Sequence, residues 1–215
     1  MELWRTDGTA AGTALLADIR AGDERSDSNP FSLTALGRRN VCFSAFDDSS
    51  GDEPWKSDGT TTGTERVADI RPGSTSTFRF DRFFSLIGFG DELLFFANDG
   101  ITGNQLWRTD GTAVGTVALA KVPYPENITF ARDTLLFSRS NRLWRSDGTA
   151  SGTAPIGRLN PARKGKQFPP NYLEAIGSTV YFDGWQERSG KELWSLDLSA
   201  ALRGEGSSGG MAGLL

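Results

Sequence analysis

The chain has 215 residues, of which 27 are acidic and 23 are Lys or Arg, giving a net charge of −4. A nucleic-acid interface needs a clustered basic face, so we expect no nucleic-acid partner; the nearest basic run, residues 163–166, is interpreted as a solvated loop. There is no histidine, which removes the commonest general base, Ser-His-Asp triads and most transition-metal sites. The single cysteine, Cys42, cannot form an internal disulfide and is expected to pack as a small apolar side chain.

A tryptophan-centred motif recurs along the chain. Its fullest copies consist of Leu-Trp-Arg, one Thr or Ser, and then Asp-Gly-Thr, and they contain Trp4, Trp107 and Trp144. A variant of the motif contains Trp55, and a decayed copy contains Trp194. Successive tryptophans are 51, 52, 37 and 50 residues apart. A period of about 40 to 50 residues is typical of propeller blades when each unit consists of strands.

The unit around Trp107 shows what one repeat contains. It has four short runs rich in aromatic, leucine and β-branched residues and separated by turn residues, at 83–88, 92–97, 105–109 and 116–122. No segment has a sustained helical period with caps at both ends. The sequence therefore predicts an all-β chain, a β-propeller of about four four-stranded antiparallel blades. Residues 1–200 are expected to form a single domain, and residues 201–215 a flexible Gly/Ser-rich tail.

In chain order, the first strands are the third and fourth of a unit, at Trp4 and residues 13–19. Three complete units follow, and the third is shortened before its tryptophan. Pro54 has no N–H to donate, so we expect it at the start of its strand or facing outward. The last unit is expected to lack its fourth strand. Pairing of residues 13–19 with that unit would close the ring; the alternative is an open fragment of a larger propeller, which could self-associate.

Each part of the motif has a predicted structural role. The Asp carboxylate accepts a backbone N–H from two residues further on, and the following Gly adopts a positive φ. The tryptophan supplies a large apolar area for docking one blade against the next. We expect all five motif tryptophans to be buried, so that replacing one by Ala costs about 3–5 kcal/mol.

Two acidic turn segments are candidate calcium sites. Asp47, Asp48 and Asp52 lie close together in sequence, and Asp99 lies in an Asn-Asp-Gly turn. Clustered oxygens suit Ca²⁺, but neither segment has the spacing of a dedicated calcium loop. The sequence favours no metal or other cofactor, and calcium at these four residues is the alternative hypothesis. No stretch approaches the roughly 18 apolar residues of a membrane span, and Met1 leads into a repeat without a signal-peptide layout.

Through its repeated motif, the chain resembles the bacterial ELWxxDGT-repeat proteins, also described as hyalin-repeat-like. The resemblance covers residues 2–197 and is carried by the Leu-Trp and Asp-Gly-Thr copies described above. A position that is often histidine in that family is Thr102 or Ser189 here. The resemblance implies a β-propeller fold and a location at the cell surface or outside the cell, and it implies no established reaction.

Three functions are open at this stage. Nothing in the chain demands chemistry, so the sequence favours a non-enzymatic binding or scaffold module that holds a protein or glycan partner at one rim of the propeller. A lectin-like propeller would use Trp185, the one tryptophan outside the motif, because an exposed ring stacks on a sugar face. A polysaccharide hydrolase or lyase would need paired carboxylates. No such pair, and hence no catalytic residue, can be placed from the sequence, so an enzyme is the less favoured alternative.

Overall fold

The computed structural model describes residues 1–22, 26–78, 86–122, 125–139, 142–158, 171–186, 190–199 and 212–213. These residues contain eighteen strands in five antiparallel sheets. The basic run at 163–166 and Ser189 lie outside them. Within the described residues, no helix is long and apolar enough to cross a membrane. The chain divides into two compact units, Met1–Val122 and Pro123–Leu215.

The first unit holds one two-stranded sheet and two four-stranded meanders. Its strands are β1 (Leu3–Arg5), β2 (Ala14–Ala17), β3 (Phe31–Leu36), β4 (Asn40–Asp47), β5 (Gly51–Ser57), β6 (Glu65–Arg66), β7 (Ile87–Phe89), β8 (Glu92–Asn98), β9 (Asn104–Thr109) and β10 (Val117–Lys121). β1 pairs with β2, β3 to β6 form the first full blade, and β7 to β10 form the second. Each strand pairs antiparallel with the next strand in its own sheet, as in a propeller blade.

The second unit holds two further four-stranded meanders. Its strands are β11 (Asn127–Ala131), β12 (Thr134–Arg139), β13 (Arg142–Ser146), β14 (Ala154–Arg158), β15 (Asn171–Ile176), β16 (Thr179–Gln186), β17 (Gly190–Asp197) and β18 (Ala212–Gly213). The predicted all-β class and four-stranded antiparallel blade are thus confirmed.

The last sheet corrects one expectation about its fourth strand. The sequence predicted that this strand is absent, but β18 pairs with Trp194 and Ser195 of β17. The position beside β17 that residues 13–19 were expected to occupy is therefore filled by Ala212–Gly213, a segment of the predicted tail. The rest of the tail, apart from Ala212–Gly213, lies outside the described residues.

Of the two positions predicted for Pro54, the structure excludes the start of the strand and agrees with the outward-facing one. Pro54 lies in the middle of β5 rather than at its start. Its carbonyl accepts the N–H of Val67 at 2.8 Å, just beyond the two-residue strand β6. The backbone N and O of a strand residue point to the same neighbouring strand. The position of the missing N–H of Pro54 therefore faces the same side, where β6 has already ended.

The cores lie between neighbouring sheets, as expected for stacked repeats. In the first unit, one cluster joins the β1–β2 sheet to the first full blade and another joins the two full blades. In the second unit, a third cluster joins its two sheets. Cys42 is fully buried in the core between the full blades, as predicted, and burial raises the pKa of its thiol to about 12.

Candidate functional site

The four Asp-Gly-Thr turns have the same pattern of hydrogen bonds. In the second full blade, Asp110 Oδ1 accepts the backbone N–H of Thr112 at 2.8 Å and the Thr112 hydroxyl at 2.7 Å. The hydroxyl oxygen of Thr112 accepts the N–H of Gly115 at 2.9 Å, and its carbonyl accepts the hydroxyl of Thr116 at 2.7 Å. The predicted Asp turn is confirmed. The carboxylate makes the same bonds in the other copies, at Asp7, Asp58 and Asp147.

The second glycine of each turn has a role that the sequence reasoning missed. A Cβ on Gly115 would lie 2.1 Å from Asp110 Oδ1, so only a glycine leaves room for the carboxylate. The first glycine, Gly111, has a φ of +85°, as predicted. The available signal was the fixed interval of five residues between each motif Asp and its second Gly.

These bonds hold the turn aspartates in their ionised form. The hydroxyl of Thr112, followed by its backbone N–H, lowers the pKa of Asp110 below its ordinary value. The Thr149 hydroxyl is likewise the largest cause of the lowered pKa of Asp147. A carboxylate that is stabilised as an anion by its own turn is a poor proton donor. The motif therefore stabilises the connection from the tryptophan strand to the next strand and offers no general acid.

Each motif tryptophan of a full blade lies opposite a phenylalanine of the second strand. The register pairs Trp107 with Phe95, and their rings are stacked with centroids 6.4 Å apart. The rings of Trp144 and Phe137 are stacked in the same way at 6.0 Å. The corresponding pairs in the other two full sheets are Trp55 with Phe43 and Trp194 with Phe182.

All five motif tryptophans were predicted to be buried, and this prediction is wrong for Trp4. The four tryptophans of the full blades are half-buried, but the side chain of Trp4 is 60% exposed. Trp4 lies in β1, whose only neighbour among the described strands is β2. The second strand, which places a phenylalanine opposite the tryptophan in every full blade, has no described counterpart beside β1. The indole of Trp4 consequently remains in contact with solvent.

In three of the four full blades, the residue two positions after the paired phenylalanine is small. A Cβ on Gly184 would lie 2.5 Å from Trp194 Cδ1. Ala45 and Ala97, at the same position two residues after the paired phenylalanine, are fully buried. A side chain at position 184 would displace the Trp194 ring, because the two occupy the same space.

A glutamate two residues before Trp55 ties the connector after the first full blade to the tryptophan strand. Glu53 Oε2 accepts the N–H of Ile70 at 3.0 Å, and Oε1 accepts the N–H of Arg71 at 3.1 Å and the hydroxyl of Thr77 at 2.6 Å. The side chain is fully buried, and this burial raises the pKa of Glu53 to about 7 despite the three donors. The carboxyl group has no exposed surface from which to meet a substrate.

The N-terminal sheet repeats this arrangement with Glu2. Its Oε2 accepts the N–H of Ile19 at 3.0 Å, and its Oε1 accepts the N–H of Ser28 at 2.7 Å. Sequence reasoning assigned no role to either glutamate. The usable signal was the Asp-Ile-Arg segment that follows each of them, at residues 18–20 and 69–71.

The carboxylates of the candidate calcium residues in the first full blade bind other groups of the protein. Asp47 Oδ1 accepts the backbone N–H groups of Ser49 at 2.8 Å and Ser50 at 3.0 Å. Asp48 forms an ion pair with Arg20, with Oδ1 2.8 Å from Nη2. Asp52 is buried, and its carboxylate accepts the hydroxyl of Ser76, while burial raises its pKa.

The fourth candidate, Asp99, closes a turn in the second full blade. Its Oδ1 accepts three backbone N–H groups, from Ile101 at 2.9 Å, Thr102 at 2.7 Å and Gly103 at 3.2 Å. Its Oδ2 accepts the side-chain amide of Gln105 at 2.9 Å. Across the described residues, no three His, Cys, Asp or Glu side chains gather into a group that could hold a metal. Calcium at these residues thus stays a prediction without a described site.

The segment around Trp185 lies in the last sheet. Trp185 belongs to β16, and its Cα pairs with Lys191 of β17; its side chain lies outside the described residues. Lys191 Nζ is 2.5 Å from Asp183 Oδ2 and 5.8 Å from the centroid of the Tyr172 ring. Tyr172 is 79% exposed. The structure therefore places an exposed aromatic ring and a carboxylate–ammonium pair in the sheet that contains Trp185.

Comparison with known proteins gives no family assignment. No protein-family model matches the chain, and no curated protein does. Among solved structures, the chain is similar to prolyl endopeptidases (TM-score 0.49, 8% identity, covering 92% of this chain and 28% of that one). It is also similar to a puromycin hydrolase, with a TM-score of 0.47 and 13% identity, covering 89% of this chain and 29% of the hydrolase. A third similar structure is the computationally designed Ika4 protein, with a TM-score of 0.41 and 14% identity, covering 85% of this chain and 98% of Ika4. The chain spans less than a third of the length of those two enzymes, and likeness at this level assigns it no activity, substrate or partner.

Proposed function

We propose that this protein is a non-enzymatic binding module whose partner adds a β-strand beside β1. The observation that carries the proposal is the exposed pair Trp4 and Leu15, which face each other across β1 and β2 and are 60% and 47% exposed. Adjacent to them, Leu3 and Leu16 are buried, so this sheet has one face in the core and one in solvent.

The full blades indicate what such a partner strand would look like. In each of them, the edge equivalent to the side of β1 on which no described strand pairs is covered by a strand that places a phenylalanine opposite the tryptophan. An edge strand with unpaired backbone groups accepts an extended segment through main-chain hydrogen bonds, and side-chain pockets supply the specificity. The fitting partner is a polypeptide strand with an aromatic residue opposite Trp4. The resemblance to ELWxxDGT-repeat proteins supports placing this module at the cell surface or outside the cell.

A labelled peptide with the sequence of β8 tests the proposal, because β8 is a strand of the required type. We expect saturable binding in fluorescence anisotropy and at least a tenfold weaker affinity for the variant Trp4→Lys. Val114→Lys is the matched control, since Val114 is 91% exposed in a turn and should leave binding unchanged. Equal binding by Trp4→Lys and the native chain would overturn the proposal. A native dimer that Trp4→Lys dissociates would identify the partner strand as one from a second copy.

A glycan-binding function is the second candidate, favoured by the Tyr172 cluster. The exposed Tyr172 ring lies beside the Lys191–Asp183 ion pair. An exposed aromatic face stacks on a sugar ring, while charged groups beside it hydrogen-bond to sugar hydroxyls. On a glycan array, Tyr172→Ala and Trp185→Ala should abolish any specific signal, and Phe31→Ala, which removes another exposed aromatic ring, should retain it. A signal that survives both of the first two substitutions would exclude this site.

A further inference from the structure

The segment of residues 70–77 is held to the first full blade by two buried carboxylates. Besides the three donors to Glu53, the Ser76 hydroxyl donates to the carboxylate of Asp52, and the N–H of Thr77 donates to the carbonyl of Asp52 at 3.0 Å. The backbone of this segment passes so close to β5 that a Cβ on Gly51 would lie 2.7 Å from the nitrogen of Ser76.

The same segment also contacts the second full blade. The carbonyl of Thr77 accepts the N–H of Asn98, at the end of β8, at 3.1 Å. Thr77 is fully buried, and it therefore links Glu53 on one blade to the backbone of the next. We propose that residues 70–77 form a clasp between these two blades that is closed most firmly while Glu53 carries a proton and opens more readily once Glu53 ionises.

The charges around Glu53 favour its protonated form in the closed clasp. Its three donors favour the ionised form but carry no charge, and the nearby carboxylate of Asp69 repels a negative charge on it. The charge of Asp69 is offset in part by Arg66, 3.8 Å away, and the Arg71 guanidinium is engaged with the carbonyl of Ser76 at 3.3 Å.

The Thr77 hydroxyl allows the clasp to accept both forms of Glu53. It donates to an ionised carboxylate, and after rotation it accepts a hydrogen bond from a protonated one. Opening the clasp both exposes the carboxyl group and breaks its three hydrogen bonds, and burial is the larger of these opposing effects on the pKa of Glu53. In the open clasp the carboxyl is solvated and its pKa returns toward the ordinary value of 4.5, whereas burial raises it to about 7 in the closed clasp.

The sign of the pH dependence follows from this difference. The closed clasp binds the proton more tightly than the open one, so its extra stability is fully present below pH 4.5 and is lost as the pH rises toward about 7. Burial also raises the pKa of Asp52, which adds in the same direction. Above pH 7 the dependence on Glu53 levels off.

Amide hydrogen exchange at Ile70 and Arg71, corrected for the intrinsic rate and followed from pH 4.5 to 8, tests the clasp. We expect the opening constant to rise by up to about tenfold per pH unit and then to level off. Glu53→Gln should reduce this slope, and Glu2→Gln, in the equivalent arrangement of the N-terminal sheet, should leave it unchanged. A flat profile, or an unchanged slope in Glu53→Gln, would overturn the proposal. Carboxyl ¹³C NMR of the native protein is an independent check: a Glu53 inflection near pH 7 supports the clasp, and one near 4.5 refutes it.

Discussion

Replacement of Gly115 by Ala is expected to destabilise the turn that follows β9 by about 1–2 kcal/mol. The new Cβ would lie 2.1 Å from Oδ1 and 2.2 Å from Cγ of Asp110, so the carboxylate must leave its place. It then loses the bonds from the Thr112 N–H and hydroxyl, at 2.8 and 2.7 Å. Each such bond contributes about 0.5–1.5 kcal/mol, and solvent partly replaces them because this turn is exposed.

Urea denaturation followed by tryptophan fluorescence measures this loss. Gly88→Ala is the matched control, since nothing lies within 4 Å of its Cβ position and its φ is not in the positive region; we expect it to be neutral or slightly stabilising. Asp110→Ala should cost about as much as Gly115→Ala. In the double variant the two losses should not add, because either substitution alone removes the same hydrogen bonds. Additive losses, or a Gly115→Ala variant as stable as the native chain, would refute this explanation of the motif.

Three further predictions concern single side chains. Gly184→Ala should displace the Trp194 indole, 2.5 Å from the new Cβ, and lower the free energy of unfolding by about 1–3 kcal/mol; an unchanged urea midpoint would contradict this. Because the pKa of Asp110 is lowered in the folded protein, its hydrogen bonds stabilise the turn at any pH above the ordinary pKa of 3.8. This stabilisation is lost as the pH falls through the pKa of Asp110 in the folded protein. Thr112→Val, which removes the main donor, should raise the Asp110 pKa in carboxyl ¹³C NMR, and no change would exclude Thr112 as the cause. Cys42, with its pKa raised to about 12 by burial, should not react with a thiol reagent at pH 8 until the protein unfolds, and rapid reaction of the native chain would contradict its burial.

Much of the fold could be predicted from the sequence because its main signals are local. The Asp-Gly-Thr turn closes through bonds between residues two to four apart, such as Asp110 to Thr112 and Thr112 to Thr116. Side-chain type alone is sufficient for such bonds, and repetition at nearly constant spacing reveals the unit that contains them. The strands, their antiparallel order and the burial of Cys42 follow from the same short-range patterns.

The candidate sites depended on contacts between residues far apart in the sequence. Glu53 meets Ile70 and Thr77 only because the connector folds back on β5, and burial there raises its pKa to about 7. Trp4 and Trp107 have nearly the same sequence neighbours, yet one is exposed and the other is stacked on Phe95. The difference lies in the adjacent strand, which the motif does not contain.

The repeating unit, the class of fold and the chemistry of the turns are evident from the amino-acid sequence, since each of these depends on residues a few positions apart. The burial of particular carboxylates, the exposure of Trp4 and the pairing of β18 with the last sheet become visible only in the folded chain. Burial and strand pairing are set by neighbours brought together from distant parts of the chain. For that reason, identical motif residues come to differ in exposure from one blade to the next.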